Sequence, residues 1–258
     1  MEPVFGTALP ENTRIFFRGV AVRPRAIVGP RMAGRWREGH PEWLRPLVAP
    51  AVWRDLWPDA RPPMRAWAID FPPGTGRRAE PAWAWQRFSA AHRRLSPRNA
   101  GSELRIALAK TERYLATPAA RRRADWRWVP GDFLPLGGLM VLARDDEFLA
   151  AVAASRWLEV WRGPEGRTGL TRWRAFPFPW APDTPRSALS RGQEDCRTAV
   201  VQAARAAGVG ESARGKEGAA EDLDTAVAAA YGWPSGISEG EALARLRTLH
   251  QQRATIAG

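Results

Sequence analysis

Leu139-Met140-Val141-Leu142-Ala143 leads through Asp145-Asp146-Glu147 into Phe148, Leu149, Val152 and Ala153, and this passage decides the fold. A short apolar run bounded by glycine and charge reads as a strand, and an acidic turn ahead of helically spaced apolar residues reads as a helix start. The passage belongs to a longer stretch, Leu104 to Trp180, that closes on Phe176-Pro177-Phe178-Pro179. Four more runs in it have strand character: Arg113 to Thr117, Trp126 to Val129, Trp157 to Trp161 and Trp173 to Phe176. Each is short, rich in β-branched or aromatic residues, and stopped by proline, glycine or charge. Between them the chain turns basic, at Arg121-Arg122-Arg123 and again from Arg162 to Arg174. The expectation is an α+β fold: a small mixed or antiparallel sheet with flanking helices, whose arginine-rich loops suit a polyanion.

The 258 residues suffice for one domain of ordinary size and a smaller appendage. No window of about eighteen apolar residues exists, which excludes a membrane-spanning helix. No charged-then-apolar signal run opens the chain, and Cys196 is the only cysteine, so a cytoplasmic location is expected. The net charge of +12 is uneven. Residues 1–190 hold 31 Arg/Lys against 18 Asp/Glu, whereas residues 191–258 hold 8 against 9. Thirteen of the fourteen tryptophans also precede residue 191, which separates a basic, aromatic region (1–185) from a helical tail (186–258). Only Lys110 and Lys216 are lysines. Arginine's planar fork matches phosphate and the guanine edge in two-point contacts, so nucleic acid is the leading partner. The alternative, a GC-rich genome that favours arginine codons, would account for much of the arginine preference, but not for the loss of excess charge near residue 190.

Ahead of the central stretch, residues 1–13 read as a loose lead-in, and Arg14 to Val28 as short strands broken by Gly19 and Pro24. Trp43, Leu44, Leu47 and Val48 have the spacing of a short helix, Val52 to Trp57 forms a second structured piece, and Ala66 to Phe71 reads as a strand ending in a turn at Pro72-Pro73-Gly74. Residues 80–95 read as a helix with Trp85, Phe88, Ala91 and Leu95 on one face and Arg87, Arg93 and Arg94 on the other. In the tail, residues 187–207 are expected as one helix and Gly208 to Gly218 as a linker. An αα-hairpin over 221–255 follows: Gly232 caps its first helix, Ser238 with Glu241 opens the second, and Leu243, Leu246 and Leu249 form its face. Such a hairpin is too small to stand alone and is expected to dock on the rest of the chain or on a partner.

Four places together resemble the target-recognition region and C-terminal tail of S-adenosylmethionine (SAM)-dependent adenine DNA methyltransferases of the MmeI-like (Type IIL) restriction-modification kind. They are Leu44-Arg45-Pro46-Leu47 through Trp53-Arg54-Asp55-Leu56 to Trp67-Ala68-Ile69-Asp70-Phe71; Arg113-Tyr114-Leu115-Ala116-Thr117-Pro118; Leu139 to Trp161 with Phe176-Pro177-Phe178-Pro179; and Leu223 to Trp233. The resemblance implies double-stranded DNA as partner, with Arg113 and Thr117 among the contacts. Such enzymes also carry a glycine-rich SAM loop and an Asn/Asp-Pro-Pro-aromatic motif that grips a flipped adenine. Asp70-Phe71-Pro72-Pro73-Gly74 has those letters in the wrong order, and Gly74-Thr75-Gly76, Gly137-Gly138 and Gly208-Val209-Gly210 do not complete a strand, GxGxxG, helix unit. The chain therefore reads as a DNA sequence-recognition subunit without catalytic residues or a cofactor of its own, SAM being held by a separate catalytic methyltransferase chain.

The loop from Arg162 to Arg174 is the first expected contact surface, because Arg162, Arg167, Arg172 and Arg174 stand there with the hydroxyls of Thr168 and Thr171. Arg121, Arg122 and Arg123 come second, as phosphate clamps. Most tryptophans are expected in the core. Asp145-Asp146-Glu147 is a helix start rather than a metal site, and His40, His92, His250 and Cys196 form no catalytic constellation. The alternatives are a sequence-tolerant single-stranded nucleic-acid binder using Trp and Arg, an enzyme in its own right, and a scaffold whose basic face binds an acidic protein.

Overall fold

The computed structural model describes residues 7–22, 26–37, 43–55, 57, 61–70, 102–120, 124–163, 169–211 and 218–256. Its strands are β1 (Phe16–Arg18), β2 (Ile27–Val28), β3 (Leu44–Val48), β4 (Trp67–Ile69), β5 (Arg113–Pro118), β6 (Arg127–Pro130), β7 (Leu134–Pro135) and β8 (Leu139–Leu142). Its α-helices are α1 (Pro30–Arg37), α2 (Ser102–Leu108), α3 (Glu147–Ala154), α4 (Arg156–Arg162), α5 (Leu170–Arg174), α6 (Arg191–Ala206), α7 (Ala219–Ala230) and α8 (Glu239–Ile256). The fold is α+β, built on two four-stranded sheets. One is antiparallel in the order β1-β8-β5-β6; the other has the order β2-β4-β3-β7 and is antiparallel except for the parallel β3–β7 pair.

Side-chain alternation stacks these sheets. In β5 and β8, Leu115, Met140 and Leu142 point into a core shared with α3, α4 and α6–α8. Their neighbours Tyr114, Ala116, Leu139 and Val141 point the other way, onto Leu47, Val48 and Ala68 of the second sheet. Both faces of the first sheet are thus dry, and β5 is buried from Tyr114 to Pro118. A third cluster, with Trp43, Leu44, Trp67 and Ile69, packs α1 on the far side of the second sheet.

The passage from Leu139 into Phe148 folds as read. Asp146 caps α3, its Oδ1 accepting from the Phe148 and Leu149 N–H groups at 2.8 and 3.1 Å, and every residue from Phe148 to Ala153 is buried. The Phe176-Pro177-Phe178-Pro179 run belongs to no helix or strand, and its prolines have no N–H to donate. Side chains satisfy its carbonyls instead. Asn12 Nδ2 donates to Phe176 at 2.6 Å, Tyr231 to Pro177 at 2.7 Å and Arg253 to Pro179 at 3.2 Å. Residues near both ends of the described chain therefore close on this run.

Several expectations change. Trp157 to Trp161 is helix α4, not a strand: Trp157 and Trp161 stand at i, i+4 and both are buried. Trp173 and Arg174 end α5 and Ala175 continues it as a turn at φ −86° and ψ −4°, so the span from Arg162 to Arg174 leads from α4 into α5 rather than joining two strands. The Trp43–Val48 region is strand β3, not a helix, its residues held between β4 and β7. The lead-in is ordered at its end: Leu9 and Asn12 are fully buried beside a 3-10 turn at Pro10–Asn12. Helices α1 and α2 add to the expected elements. The expected helix at 80–95 and the turn at 72–74 lie outside the described residues.

The tail hairpin docks on the chain itself: Leu223, Val227, Ile237, Ala242 and Leu246 join the core under α3 and α4. The buried face of α8 is Ala242, Leu246 and His250, rotated from the expected leucine stripe. The start of the expected linker is also tied down. Gly210 accepts a hydrogen bond from the Trp128 N–H at 2.8 Å along the edge of β6. It sits at φ +85° with Trp128 against it, and a Cβ there would lie 2.1 Å from the indole.

Candidate nucleic-acid interface

Arginine in this protein serves first as internal wiring. Arg105 is 6% exposed and binds Asp70, 2% exposed, at 2.7 Å, with Arg45 on the other carboxylate oxygen at 3.5 Å. Arg45 also donates to the carbonyls of Gly131, Asp132 and Phe133, fixing β3 to the turn after β6. Arg127 donates to the carbonyls of Trp53 and Asp55, lies over the Trp57 ring and pairs with Asp125. Sequence reasoning missed this role, although Asp70 after an apolar strand was its signal: a carboxylate there enters the core only with a cation.

The expected contact residues divide by the same logic. Arg113 pairs with Asp145 at 2.8 Å and Glu147 at 3.3 Å and lies over the Trp128 ring. Thr117 is fully buried in β5 opposite Met140 and presents no atom to a ligand. Arg162 is 2% exposed and stacks on Trp173 at 4.3 Å; burial lowers its pKa, Glu159 raises it and Arg172 lowers it further. Arg172 folds back, its Nε and Nη2 donating to the Trp161 carbonyl at 3.0 and 2.8 Å, while Trp161 Nε1 donates to the Arg172 carbonyl at 2.9 Å. Arg174 donates from Nε to the Phe16 carbonyl at 2.9 Å and lies over Phe17. Thr171 is exposed on α5. Arg121, Arg122, Arg123, Arg167 and Thr168 lie outside the described residues.

These facts give the two basic connections one common root. Trp126, three residues after Arg123, meets Trp173, five residues after Thr168, edge to face with ring centroids 5.5 Å apart. Trp126 is pinned by its Nε1 hydrogen bond to the Ala153 carbonyl at 2.8 Å, and the neck between Trp161 and Arg172 is closed by the reciprocal bonds just described. Trp126 and Trp173, which follow the two arginine-bearing connections in sequence, therefore share one tryptophan joint in the core. Arg172 is a clamp on one of those connections rather than a free donor. Arg172→Ala is expected to cost about 1.5–3 kcal/mol, the worth of charged hydrogen bonds, read as a lowered Tm with Arg172→Lys only partly restoring it.

Beside this joint an open groove of about 860 Å³ runs between α2, the turn after it, the start of α3 and the residues ahead of β1. Four cations line it, Arg14, Lys110, Arg144 and Arg174, and so do four carboxylates, Glu103, Glu112, Asp145 and Asp146. Asp145 is held by Arg113, Asp146 by its helix cap and Arg197, and Arg144 by Asp183. Burial lowers the pKa of the Arg174 guanidinium, and Glu103 pulls it part of the way back. The groove is charge-balanced, not a basic trench.

Among the described residues the only parallel strand pair is the two-residue β3–β7 contact, and no glycine-rich turn leads from it into a helix. Among the described residues no group of three or more His, Cys, Asp or Glu is placed to hold a metal ion, and no helix is long and apolar enough to cross a membrane.

Comparison with solved structures finds the Type IIL restriction-modification enzyme MmeI, in a structure determined in complex with DNA. The likeness covers 93% of this chain at a TM-score of 0.56 with 14% sequence identity. It covers 35% of the MmeI chain, so the protein spans about a third of that enzyme's length. At this identity the likeness is one of fold. No protein-family model and no curated protein matches the sequence.

Proposed function

We propose that this chain is the DNA sequence-recognition subunit of a split SAM-dependent adenine DNA methyltransferase working in restriction-modification or phage defence. Residues 1–185 form its target-recognition domain and residues 186–258 its helical tail. The observation that carries the reading is the fold shared, over 93% of the chain, with part of a restriction-modification enzyme solved on DNA. The excess positive charge confined to residues 1–190 supports it, as does the common root of the two basic connections. In this reading Arg121, Arg122, Arg123 and Arg167 meet phosphates or base edges with Thr168 and Thr171. A catalytic partner binds SAM, flips the adenine and methylates it.

Duplex affinity measured against salt tests the electrostatic part. Log affinity is expected to fall with log salt at a slope of roughly −0.9 per neutralised phosphate. Alanine at Arg121, Arg122 and Arg123 together is expected to flatten that slope by about the same amount for each phosphate no longer neutralised. An unchanged slope in the triple variant would remove those arginines from the interface. The single-stranded alternative loses its stacking platform among the described residues: of twelve described tryptophans, ten are buried and only Trp36 and Trp233 are half-buried.

A further inference from the structure

The groove beside the tryptophan joint has a chemistry that DNA does not answer. A phosphate entering it approaches Glu103 and Glu112, both exposed and neither in a salt bridge among the described residues. Its wall also carries Ile106, 49% exposed, one of only four large apolar side chains so exposed among the described residues, with Phe17 and Leu149 beside it. Arg174 is held in advance of any ligand. Its Nε is bonded to the Phe16 carbonyl and its face rests on Phe17, leaving its Nη groups without a hydrogen bond among the described residues. A half-buried, pre-oriented guanidinium beside an exposed isoleucine has the make-up of an interface anchor, since arginine loses little further freedom on meeting a carboxylate two-point.

We propose that this groove is a protein-docking site, whose occupant is a segment of another chain that places a carboxylate on Arg174, an apolar side chain on Ile106 and a basic residue by Glu103 and Glu112. Equal numbers of cations and carboxylates on the lining select a segment of mixed charge over a polyanion. The catalytic partner of the preceding reading is the natural source of such a segment, but the groove's chemistry does not depend on that reading, and the test keeps the two apart.

A displayed library of random peptides selected on the full chain, followed by synthesis of the enriched peptides, tests the proposal. Enriched sequences are expected to share an Asp or Glu next to an apolar residue, and Ile106→Asp, a change at an exposed position, is expected to weaken them at least about tenfold, or 1.4 kcal/mol. Changing the peptide's acid to its amide is expected to lose affinity for the wild type and none for Arg174→Gln. Duplex DNA affinity is expected to be the same in wild type and Ile106→Asp. The proposal is overturned if no common acidic-apolar pattern is enriched, if the peptides bind Ile106→Asp as well as wild type, or if duplex DNA displaces them and itself weakens with Ile106→Asp. A chain that binds no DNA yet keeps the peptide pattern leaves the groove standing and removes only the DNA reading.

Discussion

Asp70→Ala is expected to destabilise the protein by about 3–5 kcal/mol, the range for breaking a buried ion pair by removing one partner. The carboxylate is 2% exposed and holds Arg105, itself 6% exposed, from one oxygen and Arg45 from the other. Without it two guanidinium groups remain at the junction of β3, β4 and α2 with one fewer anion among them. Asp70→Asn keeps the shape and part of the hydrogen bonding, so it is expected to fall between wild type and Asp70→Ala in guanidinium denaturation. Equal stability of all three proteins would show that the cluster is not what joins α2 to the second sheet.

Trp173→Ala is expected to cost about as much, roughly 3–5 kcal/mol, as large-to-small changes at fully buried aromatics do. Trp173 is 0% exposed, stands edge to face with Trp126 and near Phe16, and carries Arg162 on its ring. Its removal leaves a cavity beside Trp126, at the joint of the residues that follow the two arginine-bearing connections, so folding and DNA binding are expected to weaken together. Trp173→Phe separates the two effects: it retains an aromatic core residue, and a roughly tenfold loss of duplex affinity, about 1.4 kcal/mol, is expected with the fold intact. Retention of full affinity by that folded variant would detach the joint from the interface.

The sequence shows some of this architecture and hides the rest for physical reasons. The strands β5, β6 and β8 and helix α3 were legible because local signals agree there: β-rich runs stopped by proline or charge, then Asp146 ahead of an apolar helical face. Trp157 to Trp161 misled because aromatic content suggested a strand, while the i, i+4 spacing of the two tryptophans held the correct reading. Leu44 to Val48 misled in the opposite sense: its apolar spacing is helical, but pairing on both sides, with β4 and β7, overrides it. The two hairpin helices were legible from their caps, Gly232 at φ +71° and Ser238, whose Oγ accepts from the Glu241 N–H at 3.2 Å, although the helix expected over 187–207 begins only at Arg191 and the loose interval at Gly208 to Gly210 proved to be packed on β6.

The candidate site was less legible than the fold. Arginine in a loop reads as a free cation, but whether its guanidinium meets a phosphate or a backbone carbonyl is decided by chain segments distant in sequence. Arg174 reaches the Phe16 carbonyl, 158 positions away, and Arg113 reaches acids more than thirty positions on. Nothing local to either arginine announces those partners. Of the acidic residues that balance the groove, Asp145 and Asp146 were read only as a helix start, a role that Asp146 does fill while it also bonds Arg197, and Glu103 and Glu112 gave no signal.

Selection of bound sequences from a pool of random duplexes by the purified full chain, in competition with single-stranded oligonucleotides, tests the central claim most directly. A DNA sequence-recognition subunit is expected to enrich one defined duplex motif and to leave the single strands behind. Recovery of duplexes with no shared motif, or preferential recovery of the single strands, would contradict it.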